Sequence, residues 1–276
     1  MSFFARLKGW LGQGGRPAEV LPWREVLAQI PILQGLEERE QLRLCELGAQ
    51  LLARKTLTVL GVELAPEDRA ALALQAVLPI LYLDLKWYRG FREIIIIPEP
   101  VTRRESVQDE FGLVSEVEEE HAGESWQQGP LVLAWSELCQ DGDWDGFNLV
   151  IHELAHKMDM LGGEADGAPP MRPGMEMARW RADFQAAFDD LCRLLEQDEA
   201  PPIDPYAATH PAEFLAVTCE LFFTHPRRLA ATYPAVHRQL VALFGQDPLS
   251  RQPPEYAAEG HGGRPHPAER HPREPD

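Results

Sequence analysis

Cysteine is scarce in this chain: four residues in 276, with no C-x-x-C pair. Cys45, Cys139, Cys192 and Cys219 are too few and too widely spaced for a disulfide framework, which fits a reducing compartment. Cys192 and Cys219 fall within apolar helical patterns, where cysteine behaves as a small buried hydrophobe. Positive charge is also short. Twenty-six Lys and Arg stand against 44 Asp and Glu, a formal net charge of −18. Such a surface argues against direct binding to nucleic acid and is repelled by anionic membranes. No apolar run approaches the ~20 residues that span a bilayer. The most apolar one, Ala70 to Leu85, is interrupted by Gln75, Pro79 and Asp84. Met1 to Pro17 carries Arg6, Lys8 and Arg16 around a short apolar stretch that glycines break. It has neither an h-region nor a small-residue cleavage site, so no secretory signal is expected. The expected location is the cytoplasm.

What is present suits a globular protein. Hydrophobic residues make up 45% and charged residues 25%, enough to bury a sizeable core. Pro22 to Ile32 reads as a short helix or turn. Leu36 to Lys55 reads as a helix, with Gly48 as an irregularity inside it. Thr56 to Val62 is β-prone. Pro66 to Tyr88 is expected to form one long helix, with Pro66, Glu67 and Asp68 suited to its first turn. Four consecutive isoleucines within Glu93 to Ile97 have the pattern of a buried strand. Glu99 to Gln128 is a polar, acidic excursion with a hairpin expected around Phe111 to Val117, and Pro130 to Ser136 is a further strand. Helices are expected from Asn148, over Met175 to Gln197, over Pro211 to Thr224 and over Pro234 to Gly245, with a Gly/Pro-rich loop over Gly162 to Gly174. The expected class is α+β, mostly helical, with a small sheet preceding the helix that opens at Asn148. The expected organisation is a flexible N-terminus over 1–19, one domain over 20–245 and a disordered tail over 246–276. The domain divides into a helical part (about 20–90) and a catalytic part (about 91–245).

The chemistry concentrates in His152-Glu153-Leu154-Ala155-His156. Residues four apart share one face of a helix, so two imidazoles can reach one ion there. Glu153 sits beside them as a general base, able to take a proton from water and return it to a leaving amine. Two unrelated histidines on one helix would be the bland reading. Phe147, Leu149, Val150, Ile151, Leu154, Ala155, Met158 and Met160 argue against it, because they mark a helix buried nearly all round. Ionisable groups in such a helix need partners, and one metal satisfies all three.

A catalytic zinc takes three protein ligands and keeps one open position. The metzincin pattern would place a third His six residues past His156, where Gly162 stands. Asp159 is on the same helical face and could ligate, but its short arm on a straight helix would reach poorly. It is a candidate either for orienting an imidazole or as a buried capping acid. Glu213, in the first turn of a helix opened by Pro211, is the better third ligand, although the helix dipole alone would also favour an acid there. Glu220 is seven residues on and shares the face of Glu213, as a supporting acid or a plain salt-bridge partner. Tyr206 is a candidate oxyanion donor, against the alternative of a packing aromatic. A structural metal site would need a fourth protein ligand, and no convincing one stands out.

The segments N-L-V-I-H-E-L-A-H-K-M-D-M (Asn148 to Met160), D-P-Y-A-A-T-H-P-A-E-F-L-A-V (Asp204 to Val217) and G-P-L-V-L-A-W (Gly129 to Trp135) together resemble the Mlc titration factor A family of zinc peptidases. The resemblance covers about residues 20 to 245. It implies a zincin-like fold of gluzincin type, related to the peptidase domain of anthrax lethal factor. It implies one zinc ion held by His152, His156 and Glu213, Glu153 as general base and Tyr206 as oxyanion donor. It also implies a cytoplasmic peptidase with aminopeptidase-like activity on small substrates. The family's best-known member binds the glucose-responsive repressor Mlc, so a transcription repressor joins peptide or protein substrates among the expected partners. The rival expectation is a regulatory protein that sequesters a repressor with little proteolysis. A peptide is expected to lie against a strand edge, with Pro130 to Trp135 the candidate.

Overall fold

The computed structural model describes residues 21–108, 114–121, 129–138 and 142–257. The chain opens with α1 (Trp23–Gln29) and a 3-10 turn (Pro31–Leu33), then α2 (Glu38–Arg54). Gly48 lies inside α2 because a Cβ there would stand 3.0 Å from the indole of Trp23. Strand β1 (Thr56–Val59) leads to α3 (Pro66–Val77).

The long helix expected over Pro66 to Tyr88 stops at Val77. Pro79 has no N–H and its ring crowds the carbonyl four residues back, so the ladder cannot continue. The apolar residues beyond it still serve the core: Leu78, Ile80 and Leu81 are fully buried in turns. A separate 3-10 helix (Leu85–Tyr88) follows, and Asp84 caps it by accepting the Lys86 N–H.

β2 (Glu93–Ile97) holds the isoleucine run. The excursion is a two-stranded antiparallel ribbon, β3 (Val101–Gln108) and β4 (Val114–His121), with Val101 opposite His121. Phe111 lies outside the described residues. β5 (Leu131–Ala134) runs into a helical turn, α4 (Trp135–Leu138). Strands β1, β2 and β5 form a parallel sheet in that order. Its registers pair Thr56 with Glu93 and Ile94 with Leu131. β2 is central, which is why an unbroken isoleucine run suits it. β5 is an edge strand among the described residues.

The rest is helical: α5 (Leu149–Asp159), α6 (Met177–Glu196), α7 (Pro211–Thr224), α8 (Pro226–Thr232) and α9 (Pro234–Phe244). Pro211, Pro226 and Pro234 each stand in a first turn, where the missing N–H costs nothing. α8 has no counterpart in the expected helices. α5 packs against β5 on one side and α7 on another. The architecture is α+β, mostly helical, with the small sheet ahead of α5.

Residues 246–256 were expected to belong to a disordered tail, yet they fold back in 3-10 turns. Gln246 donates to the Leu78 carbonyl, Arg251 to the Ile32 carbonyl, and Gln252 accepts the Arg227 N–H. Polar side chains satisfying core carbonyls leave no apolar periodicity to detect. Among the described residues, no helix is long and apolar enough to cross a membrane.

Candidate metal centre

Every residue of α5 is buried, including His152, Glu153, His156, Lys157 and Asp159. Asn148 starts this helix: its side-chain oxygen accepts the Ile151 N–H at 3.0 Å. α7 is equally enclosed, all of Phe214 to Thr224 being buried. Its Glu213 keeps 20% of its side chain exposed, so the metal face opens to solvent on that side.

The three expected ligands converge. His152 Nε2 and His156 Nε2 are 3.1 Å apart, and Glu213 Oε2 lies 3.1 Å from the first and 3.3 Å from the second. Around an ion with bonds of ~2.0–2.1 Å, tetrahedral ligand atoms stand about 3.3–3.4 Å apart. The donor triangle is within about 0.3 Å of the size that a tetrahedral ion requires. The three are the one group of potential metal-binding side chains found among the described residues, so a fourth position is left for a non-protein ligand. That pattern fits a catalytic ion better than a structural one.

Glu220 supplies the support. Its Oε1 is 2.5 Å from His152 Nδ1, and its Oε2 accepts the Asn148 N–H at 2.8 Å. With a metal ion bound, a hydrogen on Nδ1 directed at Glu220 would leave the Nε2 lone pair for that ion. Asn148 Nδ2 in turn donates to Gln75 Oε1 at 2.7 Å. Burial lowers the His152 pKa, but Glu220 and Glu213 outweigh it and hold it well above its ordinary value. Burial raises the Glu213 carboxyl, but hydrogen bonds from both imidazoles hold it well below the usual carboxylate range.

Glu153 is buried and its Oε2 has no hydrogen-bond partner. Burial raises its pKa, against the pull of the two imidazoles. Tyr206 stands in a 3-10 turn (Pro205–Ala208) that Asp204 caps, its ring centroid 6.4 Å from that of His152. Asp159 is oriented elsewhere than expected for an acid that steers an imidazole: its Oδ2 accepts the Gly167 N–H at 2.8 Å. Burial pushes its carboxyl up to about 6.

Some participants escaped sequence reading. Gln75 lies 73 residues from Asn148 and has no motif. Gly167 ties Asp159 to α6 through its carbonyl, which accepts from the Trp180 indole at 2.8 Å. Lys157 is buried, and burial pushes its ammonium down to about 8. Their roles arise from partners distant in the chain, so no local spacing announces them.

Two histidines and a glutamate around one open position, with a buried acid beside them, define a metallopeptidase-like centre on an α+β scaffold. The family model described as glucose-regulated metallo-peptidase M90 matches residues 14–245. The chain is 42% identical to Mlc titration factor A of Escherichia fergusonii over 234 residues, 84% of this chain and 88% of that protein. Mlc titration factor A of Klebsiella pneumoniae (strain 342) is 40% identical with the same coverage. That of Yersinia enterocolitica is 42% identical over 248 residues, 88% of this chain and 92% of that one. The chain belongs to the glucose-regulated M90 metallopeptidase family.

Proposed function

We propose that this protein is a zinc-dependent peptidase of gluzincin type, zincin-like in fold, acting in the cytoplasm on short peptides in an aminopeptidase-like manner. The observation that carries the reading is the donor triangle of His152, His156 and Glu213 beside the unpartnered, buried oxygen of Glu153. Two neutral imidazoles and one carboxylate are a donor set suited to zinc. When bound, zinc supplies a Lewis acid that polarises the scissile carbonyl and acidifies water.

The chain's own residues do the rest. Glu153, its pKa raised by burial, accepts the proton of the attacking water and passes it to the departing amine. Tyr206 donates its hydroxyl to the oxygen on which negative charge develops. Glu220 holds the His152 ring in the ligating tautomer. β5, an edge strand among the described residues, offers backbone groups for an extended peptide to pair with. Glu153→Gln keeps the shape and removes the base. The variant is expected to retain the metal while peptide hydrolysis falls by about 10²–10⁴-fold. Unchanged chelator-sensitive hydrolysis by Glu153→Gln would overturn the assignment of the base. No metal and no chelator-sensitive cleavage in the wild type would overturn the enzyme reading.

A second reading has its own support. The relatives carry the name Mlc titration factor A, so sequestration of an Mlc-like transcription repressor, without direct contact to nucleic acid, is the regulatory role to test. Retained repressor binding by Glu153→Gln would separate this role from catalysis. Lack of binding by the intact protein would remove it.

A further inference from the structure

Lys157 has no part in the chemistry above, yet it is only 2% exposed. Lysine is almost never so buried unless its charge is used. Lys157 lies four residues after Glu153, on the same stripe of α5. Its ammonium donates to the Gly129 carbonyl at 3.1 Å. Gly129 and Pro130 lead directly into β5, the edge strand that α5 packs against. β5 is only four residues long and is paired with β2 along one side, so contacts at its ends add to its placement. The far end is tied to the sheet by the Ser136 N–H, which donates to the Pro98 carbonyl at 3.1 Å. The near end is tied to the metal helix itself by Lys157.

We propose that Lys157 is a positioning residue that pins the entrance of β5 to the catalytic helix, so that a peptide paired with this edge presents its carbonyl at the metal face. This rests on the peptidase reading. The long aliphatic stem fills the space between helix and strand, and the ammonium at its end selects the carbonyl. An apolar residue would fill the same space without fixing the depth of the strand.

The test compares full-length, zinc-loaded wild type with Lys157→Met and Lys157→Arg on two substrates. One is a single-residue chromogenic amide, too short to pair with β5; the other is a long unstructured peptide. Lys157→Met is expected to raise KM for the long peptide about tenfold while KM for the amide and kcat for both change less than about twofold. Zinc stoichiometry is unchanged, and Lys157→Arg, which still donates to Gly129, restores the peptide KM. Equal losses on both substrates, or no loss on either, would overturn the proposal. Hydrogen exchange at the β5 amides is followed in the same proteins. Exchange faster in Lys157→Met and restored in Lys157→Arg is expected; unchanged exchange overturns the pin even if the wild type cleaves neither substrate. Absence of all wild-type cleavage counts against the peptidase reading alone.

Discussion

Glu220 serves two donors with one carboxylate, the His152 ring and the Asn148 N–H. Glu220→Gln replaces one acceptor with an NH2 group, so one of those donors faces another donor. Loss of such a supporting acid typically costs 10–100-fold in metal affinity, and a zinc titration against a competing chelator is expected to show a weakening of that order. Unaltered affinity would mean that Glu220 serves only the start of α5. Asp159 makes a different kind of prediction. Its folded pKa of about 6 stands above the ordinary 3.8, so the protonated form is favoured in the fold. The stability it contributes is complete below about pH 4 and is lost as pH rises through about 6. The shift corresponds to a loss of roughly 3 kcal/mol. Asp159→Asn keeps an acceptor for the Gly167 N–H without the charge. Urea unfolding across this range is expected to show the decline in the wild type and not in the variant, and parallel profiles would rule the effect out.

Among the elements, the loop between α5 and α6 is joined to the start of α7 through Gly167. Its φ is +77°, and a Cβ there would stand 2.7 Å from the Pro211 carbonyl oxygen. Gly167→Ala therefore strains the loop and pushes on the first turn that carries Glu213. Thermal unfolding is expected to report a loss of about 1–3 kcal/mol, accompanied by weaker zinc binding. A loss of stability with intact zinc affinity would show that the turn yields without moving Glu213. Helix α7 was legible end to end, because Pro211 marks its start and its apolar run has no interruption. The expected helix over Pro66 to Tyr88 is longer than the observed one, because the apolar content continues past Pro79 while the helical ladder does not. α8 is only seven residues long and too short for periodicity to announce.

Over the whole molecule, residues 246–256 fasten distant parts of the chain. Gln246, Arg251 and Gln252 reach Leu78, Ile32 and Arg227, and Tyr256 donates to Asp143 at 3.2 Å. Net hydrogen bonds are worth about 1 kcal/mol each, and an orphaned buried partner costs more. Truncation after Gly245 is expected to destabilise the protein by about 3–5 kcal/mol, measured by denaturant unfolding. Truncation after Ala257 keeps these contacts and is the control; equal stability of the two truncations would refute the fastening role.

The candidate donors His152 and His156 were legible in the sequence, because helical spacing places them on one face wherever α5 sits. Sequence also marked Glu213, through its place in the first turn of a helix that could only be buried. Which oxygen meets which nitrogen was decided by tertiary structure alone. The packing of α5 against α7 brings Glu213 to 3.1 Å from His152 across 61 residues, and turns Glu220 rather than Asp159 toward the imidazole. The physical reason is that local periodicity fixes the direction of a side chain from its own helix, whereas its partner is set by how two helices pack.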